Sequence, residues 1–498
     1  MIVANKAKIY AEDNFQAFYT DAEEIRLLML DLLGNVHGQK ILEPCAGEGS
    51  FIRGLNGIPK EVTAIDIDSK HINILNNVFP AWVKTIHSDF IDQFVSDSLP
   101  KENFQNKKYD ATICNPPYGL KFSVEYRKEI KKKYPSIYAR ESYGLFMHFG
   151  ISLLKNLGRY VFIVPDTFLT STNHKSLRKF LAHETQLTHI IQFKSKRFET
   201  VNFGYGNLCI IAGIKGNMDN NNQVIWVDAT KSQEPITHDI FKNVATISGT
   251  EFLQNIEYGW IHPDHKKKIK FTCDTKPLGD LTECKTGIYT GDNNRFCAYD
   301  EEKPPSRING HPIQWNDKVF VSNLSSKEKK EGLNNEKHYV PLIRGGHREP
   351  FSETGHAINW SNEAVNFYDK DKKARLQNSA YYFRSGLAIP MVTSGRISAL
   401  LMKNAIFDQG VVGVFPKDDK WLDFLLIYLN SDFVSNVLKK TINPSANNSA
   451  NYLKRMPVPN VNKNYLSEAQ KIIFIAKNKG WNQTKEMREK FINIFVTN

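Results

Sequence analysis

The first half of the chain alternates between two spacings of hydrophobic residues. Short apolar runs typical of strands include QKILE, VTAID, YDATIC, GRYVFIVP, THIIQF and NLCIIAGIK. Between them lie stretches with helical spacing, such as DAEEIRLLMLDLL, HINILNNVF and SYGLFMHFGISLLK. Strands that alternate with helices favour a mostly parallel sheet with helices on both faces. We therefore expect an α/β domain in this half.

The alternation ends near residue 245. The stretch from Thr246 to Pro277 has no strong periodicity and contains the basic run HPDHKKKIK. Beyond it, short strand-like pieces mix with turns, with one helix predicted over WLDFLLIYLNSDFVSNVLKKT and another from Ser467 to Lys490. The 498 residues are enough for several domains. We predict two, an α/β domain over residues 1–245 and a mixed α+β domain over residues 246–498.

The composition is that of a globular protein with an excess of positive charge. Hydrophobic residues make up 41% of the chain and charged residues 24%, and no apolar run is long enough to span a membrane. The 65 Lys and Arg residues exceed the 53 Asp and Glu residues, for a net charge of +12. This excess suits a polyanionic partner such as nucleic acid, although lysine-rich solubility is an equal alternative.

The cysteines and the N-terminus indicate a cytoplasmic protein. The six cysteines are scattered, and none lie in a C-x-x-C pair, so no zinc or other metal site is predicted. Free cysteines in apolar runs are typical of a reducing compartment. The first residues lack the long apolar core and the cleavage site of a secretory signal.

The first candidate site lies where the strand KILE runs into the turn PCAGEGS. Glycines such as Gly47 let the backbone approach a ligand closely, and ligands of parallel sheets bind beyond the carboxyl ends of the strands. The pattern is not G-x-G-x-x-G, so no pyrophosphate site is predicted. Glu43 and the turn amides could instead hold a zwitterion such as an amino-acid moiety. An ordinary strand–helix connection is the alternative.

Acidic residues at two further strand ends complete a predicted pocket. Asp66 ends VTAID about twenty residues after the turn, and an acid at that offset can accept both hydroxyls of a ribose. Asp68 is a second, weaker candidate for the ribose, and the alternative role of a helix N-cap suits Asp68 or Ser69 better than Asp66. Asp89 could accept the amine of an adenine ring while Phe90 packs on its face. An amino acid, a ribose and an adenine together describe S-adenosylmethionine, which is the predicted cofactor.

The segment Asn115-Pro116-Pro117-Tyr118 follows the strand YDATIC. An exocyclic adenine nitrogen is a poor nucleophile, and two acceptors aimed at its hydrogens favour the tetrahedral geometry that attack on a methyl group requires. The side-chain oxygen of Asn115 and the carbonyl of Pro116, which the proline ring fixes, could be those acceptors. Tyr118 could stack on the base. A purely structural turn is the alternative.

The order of these motifs resembles that of the N6-adenine DNA methyltransferases of the gamma class, TaqI-type, of restriction–modification systems. The motifs are Tyr19-Thr20, the E-P-x-x-G loop from Glu43, Asp66, Asp89-Phe90 and N-P-P-Y, and they span roughly residues 15–210. The resemblance implies a Rossmann-like, S-adenosylmethionine-dependent catalytic domain and a C-terminal target-recognition domain. It also implies methyl transfer to adenine N6 in double-stranded DNA after base flipping.

The resemblance also assigns roles to individual residues. It places Thr20 at the methionine carboxylate, although the family's Y-T-P is Tyr19-Thr20-Asp21 here. An aromatic residue after the sixth strand stacks on the target base, and we prefer Phe198 to Phe203 and Tyr205. With Asn115, Pro116 and Tyr118 as the catalytic turn, the cofactor pocket would comprise Thr20, Glu43, Cys45, Ala46, Gly47, Asp66, Asp89, Phe90, Pro117 and Phe146.

The second domain would supply the grip on DNA. Extruding a base costs a few kcal/mol, and cations on phosphates can offset that cost. The candidate cations are Lys266, Lys267, Lys268, Arg344, Arg348, Lys439 and Lys440, with Lys131, Lys132 and Lys133 beside the catalytic turn. No convincing P-D…(D/E)-x-K nuclease motif is present, so any companion restriction endonuclease is expected to be a separate chain.

Two alternatives remain open at this point. The chain could be an N-P-P-Y amino methyltransferase that acts on RNA or on a protein glutamine. It could also be a non-catalytic subunit that recognises DNA for a partner.

Overall fold

The chain forms two compact units, Met1–Asp264 and His265–Asn498. The computed structural model describes residues 22–96, 108–197, 206–218, 221–232, 236, 241, 244–256, 259–266, 270–346, 349–393, 395–442 and 447–497. The boundary between the two units, at residues 264 and 265, lies later than the predicted boundary at residue 245. The reason is that the strand Ala245–Ser248 pairs with Gln223–Asp228 of the first unit.

In the part of the first unit that is described, nine strands form a single sheet. They are β1 (Lys40–Glu43), β2 (Glu61–Asp66), β3 (Val83–His87), β4 (Tyr109–Cys114), β5 (Leu154–Pro165), β6 (Thr185–Lys194), β7 (Asn207–Lys215), β8 (Gln223–Asp228) and β9 (Ala245–Ser248). Their spatial order is β3-β2-β1-β4-β5-β7-β6-β8-β9. Pairing is parallel from β3 through β5, whereas β7 is antiparallel to both β5 and β6.

This sheet confirms the predicted α/β fold with a mostly parallel, Rossmann-like sheet. The antiparallel direction of β7 was not predicted, because an apolar run such as NLCIIAGIK carries no information about strand direction. The helices of this unit are α1 (Glu23–Leu33), α2 (Ser50–Arg53), α3 (Ser69–Val78), α4 (Asp92–Val95), α5 (Val124–Lys133), α6 (Ser142–Ser152), α7 (Thr167–Thr170), α8 (Lys175–Glu184), α9 (Gly249–Gln254) and α10 (Pro263–Lys266).

The position of β1 determines where a ligand can bind. This strand pairs with β2 on one side and with β4 on the other, so the connections after β1 and β4 leave the sheet in opposite directions. Such a switch point opens a crevice beyond the carboxyl ends of the strands. The glycine turn after β1 and the N-P-P-Y segment after β4 both lie at this crevice.

The second unit is a mixed α+β structure, as predicted. A four-stranded antiparallel sheet has the order β12-β20-β17-β18, and a five-stranded mixed sheet has the order β14-β13-β16-β15-β19. The strands are β10 (Lys270–Phe271), β11 (Thr275–Pro277), β12 (Thr282–Thr286), β13 (Cys297–Asp300), β14 (His311–Ile313), β15 (Tyr339–Ile343), β16 (His356–Asn359), β17 (Gly386–Pro390), β18 (Leu400–Met402), β19 (Ile406–Phe407), β20 (Val411–Pro416), β21 (Pro457–Pro459) and β22 (Val496–Thr497).

Two long helices predicted in this unit are each broken. The helices of the unit are α11 (Leu278–Leu281), α12 (Asn293–Phe296), α13 (Trp315–Lys318), α14 (Ser326–Glu331), α15 (Asn362–Lys370), α16 (Leu422–Leu429), α17 (Asp432–Val437), α18 (Ala450–Leu453), α19 (Lys463–Lys479) and α20 (Lys485–Asn493). Ser431 separates α16 from α17 because its side chain caps α17 at Val434 N. Gly480, with φ 95°, ends α19 before α20 begins. None of the described helices is long and apolar enough to cross a membrane.

Close packing between β5, β6 and β7 allows a direct test of the sheet. A Cβ added at Gly213 in β7 would lie 2.6 Å from the carbonyl oxygen of Gln186 and would also overlap the Tyr160 ring. We expect Gly213→Ala to lower the free energy of unfolding by about 1–3 kcal/mol, measured by urea denaturation. Gly144→Ala in α6 is the control, because its new Cβ would lie 3.7 Å from Leu177. Equal stability of the two variants would contradict the strand order.

Candidate functional site

The turn after β4 is fixed to two neighbouring elements. The hydroxyl oxygen of Tyr118 lies 2.6 Å from Asn115 Oδ1 and 2.8 Å from the carbonyl oxygen of Ile163 in β5. The hydroxyl of Ser142, at the start of α6, donates to the carbonyl of Pro117 at 2.5 Å. Pro116 is buried while Asn115 is partly exposed. The turn therefore holds its asparagine in one place and leaves part of that side chain accessible.

The ring of Tyr118 is not presented to solvent, contrary to the expectation of an open stacking face. The residue is 1% exposed, and its hydroxyl points toward the sheet at Ile163. For its face to meet a base, the groups that cover the ring must first move aside. Its position next to Asn115 agrees with a place in the site, while stacking remains a prediction.

The glycine turn lies against the N-P-P-Y turn. The thiol of Cys45 donates to the carbonyl of Asn115 at 3.0 Å, and its sulfur lies 3.2 Å from that of Cys114. Gly49 opens α2 at φ 78°, and a Cβ at this position would overlap the ring of Phe79. Only glycine meets both constraints. Two segments that are about 70 residues apart in sequence thus form one wall of the crevice.

Asp66 links the glycine turn to the end of β2. Its Oδ2 accepts the amide of Gly47 at 2.8 Å, and its Oδ1 accepts the amide of Asp68 at 2.8 Å. The Nδ1 of His71 lies 3.2 Å from the same Oδ1. Asp68 instead caps α3 by accepting the amide of Lys70, as the sequence suggested. A carboxylate has about four acceptor positions, so Asp66 can accept further hydrogen bonds from a ligand.

Glu43, at the end of β1, carries a buried carboxyl group, one oxygen of which lacks a hydrogen-bond partner among the described residues. Glu43 is 2% exposed, and the oxygen without a partner there is Oε2. Burial raises the pKa of Glu43 well above its usual value, and the nearby carboxylate of Asp66 raises it further. A buried acceptor of this kind suits a ligand that brings its own donor or positive charge, such as an ammonium group.

The end of β3 supplies a carboxylate and an aromatic ring. Asp89 Oδ1 accepts the amides of Ile91 and Asp92 at 3.0 and 3.1 Å, which fixes the orientation of its carboxylate at the start of α4. Phe90 stacks on Phe146 of α6 with ring centroids 5.3 Å apart. Both rings are buried, with exposures of 2% and 6%. The structure thus joins these residues in one wall, and their contact with an adenine remains a prediction.

Several predicted residues lie outside the described residues. They are Thr20, Phe198, Phe203, Tyr205, Lys267, Lys268 and Arg348, and the side chains of Lys266 and Lys440 are likewise not described. Among the residues that are described, no group of His, Cys, Asp and Glu could hold a metal ion. Lys131, Lys132 and Lys133 are exposed at the end of α5.

Two of the candidate phosphate-binding cations, Arg344 and Lys439, have partners within the second unit. Arg344 pairs with Asp408 at 3.0 Å in the interior of the second unit, where both side chains are about 15% exposed. Lys439 Nζ donates to the carbonyl of Thr393 and to Asn448 Oδ1, both at 2.9 Å. Burial lowers the pKa of Lys439 to about 8. Partners elsewhere in the second unit already hold both cations. Composition alone cannot reveal such contacts.

Sequence reasoning missed three residues at this edge of the sheet. Ser142 anchors the N-P-P-Y turn, and His71 contacts Asp66. Asp166 follows β5, and burial raises its pKa to about 6 although Gln192 and Asn207 donate hydrogen bonds to it. Asp166 stands directly after the strand GRYVFIVP, and that position was the available signal.

The chain is similar to known restriction–modification proteins. Residues 22–198 match the Eco57I restriction-modification methylase family, a range that includes β1 to β6 and the N-P-P-Y turn. The resemblance to restriction–modification methyltransferases is confirmed. The Type II methyltransferase M.TthHB8I of Thermus thermophilus is 26% identical over 82% of this chain and 83% of its own length.

Two other proteins are similar over most of the chain. The adenine-specific methyltransferase BrxX of Escherichia coli is 23% identical over 76% of this chain and 30% of its own length. The solved structure of a nuclease-deletion mutant of the Type ISP restriction-modification enzyme LlaGI, in complex with a DNA substrate mimic, covers 95% of this chain and 56% of its own. That likeness has a TM-score of 0.54 at 15% identity and therefore concerns the fold. The chain spans only 53%, 40% and 39% of three further curated relatives that it matches.

The buried carboxyl at the end of β1 should make the stability of this protein depend on pH. The folded state holds the Glu43 proton more tightly than the unfolded chain does, so stability falls as pH rises from about 4.5 through the raised folded pKa. Glu43→Gln cannot ionise. We expect it to be more stable than the wild type by about 1 kcal/mol or more at pH 8, and to lose that advantage near pH 4.

The measurement is thermal or urea unfolding at both pH values. Glu48→Gln is the matched control, because Glu48 is an exposed carboxyl in the same turn. An advantage of Glu43→Gln that is the same at pH 4 and pH 8 would contradict the assigned burial.

Proposed function

We propose that the chain is a site-specific DNA methyltransferase. It transfers a methyl group from S-adenosylmethionine to the N6 amine of an adenine in double-stranded DNA, after turning that base out of the helix. The observation that carries the proposal is the partly exposed Asn115 at the end of β4, which is followed by Pro116 and lies against the glycine turn. The match to a restriction-modification methylase family supports it.

The catalytic turn would act on the amine by electrostatic preorganisation. The Asn115 oxygen and the Pro116 carbonyl would each accept one of the two amine hydrogens. The nitrogen would then become tetrahedral and form a bond to the methyl carbon as the bond from that carbon to the sulfonium sulfur breaks, and it would lose one proton to solvent after the transfer. The positive charge that develops on nitrogen is stabilised by the same two oxygens. Because the turn is held by Ser142 and by Ile163, the acceptors need not reorganise during the reaction.

The loops at the ends of β1, β2 and β3 carry acidic and aromatic side chains of the kinds that could bind the parts of the cofactor. S-adenosylmethionine supplies the methyl group. Glu43 would face its ammonium group, since Glu43 Oε2 is a buried acceptor with no partner among the described residues. Asp66, with Asp89 and Phe90 beyond it, would hold the ribose and the adenine. Cys45, Ala46, Gly47, Pro117 and Phe146 would line the same pocket, together with Thr20, which is outside the described residues.

Double-stranded DNA is the proposed substrate. The net charge of +12 favours a polyanion, and the LlaGI structure that resembles this chain contains a DNA substrate mimic. Adenine is proposed because BrxX, similar over 76% of the chain, is described as adenine-specific. The second unit would serve as the target-recognition domain. The biological setting would be a restriction–modification or phage-defence system.

The two alternatives differ from this proposal in what is methylated. An N-P-P-Y methyltransferase of RNA or of protein glutamine would label those substrates, and a recognition subunit would bind DNA without transferring a methyl group. Incubating the chain with methyl-labelled S-adenosylmethionine and duplex DNA, RNA or protein in parallel separates the three. Label in DNA alone supports the proposal, and label in RNA or protein alone, or in none, would contradict it.

Replacing the asparagine tests the catalytic turn. We expect Asn115→Ala to lower the single-turnover rate of methyl transfer by about 100-fold or more, because one of the two preorganised acceptors is lost. Asn77→Ala, on the exposed face of α3, is the control and should keep the wild-type rate. Wild-type methyl incorporation by Asn115→Ala would refute the mechanism.

The two acids after β2 provide a matched pair for cofactor binding. Asp66→Asn should weaken S-adenosylmethionine binding by about 10-fold or more, because a charged acceptor is lost. Asp68→Ala should leave the Kd near its wild-type value while lowering the free energy of unfolding by about 1 kcal/mol, since Asp68 only caps α3. Calorimetric titration measures the first effect and urea denaturation the second. The reverse ranking of the two Kd values would exclude Asp66 as the ribose ligand.

A further inference from the structure

The Tyr118 hydroxyl has two oxygen neighbours but only one hydrogen. It lies 2.6 Å from the atom placed as Asn115 Oδ1 and 2.8 Å from the carbonyl oxygen of Ile163. A phenol donates a single hydrogen bond, so it cannot serve both oxygens as donor. The oxygen and nitrogen of an asparagine amide exchange places when the end of the side chain rotates by half a turn. The amide can therefore present either its oxygen or its NH₂ group to the Tyr118 hydroxyl, and only one of these orientations fits a hydroxyl that also donates to Ile163.

The carbonyl of Ile163 has the stronger need for the phenol hydrogen. Strands β4 and β5 run parallel with Ile113 opposite Val161, and in that register the next donor for the Ile163 carbonyl is the amide of residue 116. Residue 116 is proline and has no N–H. Tyr118 therefore replaces the missing ladder donor. Leaving this buried carbonyl without a donor would cost more than turning the partly exposed amide around.

We propose that the hydroxyl of Tyr118 is a positioning group that orients the amide of Asn115. The hydroxyl donates to Ile163 and accepts a hydrogen bond from the Asn115 NH₂. The amide oxygen is thereby turned away from Tyr118 and toward the crevice, where a substrate amine would meet it. This assignment rests on the proposed function of Asn115, and it gives Tyr118 a role that does not depend on stacking.

Removing the hydroxyl while keeping the ring tests this role. We expect Tyr118→Phe to lower the single-turnover rate of methyl transfer by about 10-fold, because the amide loses the contact that keeps its NH₂ group turned away from the substrate. Base extrusion, followed by the fluorescence of duplex DNA with 2-aminopurine at the target position, should stay at the wild-type level. Tyr160→Phe is the matched control, since it removes a buried tyrosine hydroxyl bonded to Thr185 in the same sheet.

A double substitution distinguishes the loss of the Asn115 amide orientation from general damage to the site. An aspartate has acceptor oxygens at both ends and needs no orienting group. Tyr118→Phe should therefore cost much less in the presence of Asn115→Asp than it does alone. A rate for Tyr118→Phe within about twofold of the wild type, or an equal loss of rate and of 2-aminopurine signal, would overturn the proposal. Equal costs of Tyr118→Phe in both backgrounds would do the same.

The orientation can also be observed without any substrate. In protein with ¹⁵N-labelled asparagine, the side-chain NH₂ signals of Asn115, assigned by their loss in Asn115→Ala, should shift in Tyr118→Phe because one amide hydrogen loses its acceptor. Unchanged Asn115 signals would refute the orientation. This result does not depend on methyl transfer, so a failure of the proposed DNA methylation and a failure of this inference can be told apart.

Discussion

Strand β4 leaves the sheet at a residue that cannot donate a backbone hydrogen bond. Pro116 ends the parallel ladder between β4 and β5, so the chain turns away from the sheet and the carbonyl of Ile163 takes its donor from Tyr118. The second proline adds a carbonyl that Ser142 fixes from α6. The sheet and a helix thus hold this turn at two points, Tyr118 and Pro117.

The loops proposed to bind the cofactor depend on the same edge of the sheet. Because β1 lies between β2 and β4, the glycine turn contacts Asn115 through Cys45 on one side and Asp66 through Gly47 on the other. The buried carboxyl of Glu43 at the base of this crevice is a destabilising feature that a cationic ligand would relieve. The stability of the apo protein and the affinity for its ligand are therefore coupled at one residue.

Local patterns predicted the main strands of the first unit and placed the candidate site residues at strand ends. Apolar runs indicated the strands, Gly47 and Asp66 marked two of their ends, and N-P-P-Y marked a third. Features that depend on pairing between distant segments could not be predicted. The partner of Tyr118 lies 45 residues away at Ile163, the direction of β7 is set by its neighbours, and the charge of Arg344 is taken up by Asp408. Each of these features depends on how distant strands pair or on which side chains become buried, and no short stretch of sequence determines either.

The central claim is that this turn presents two fixed acceptors to the amine of an extruded adenine. The most direct test is to identify the methylated base. Duplex DNA is methylated with methyl-labelled S-adenosylmethionine, digested to nucleosides and analysed by mass spectrometry. The account predicts that the label appears in N6-methyldeoxyadenosine. Label in N4-methyldeoxycytidine would contradict the adenine assignment, and label in 5-methyldeoxycytidine would contradict transfer to an amine altogether.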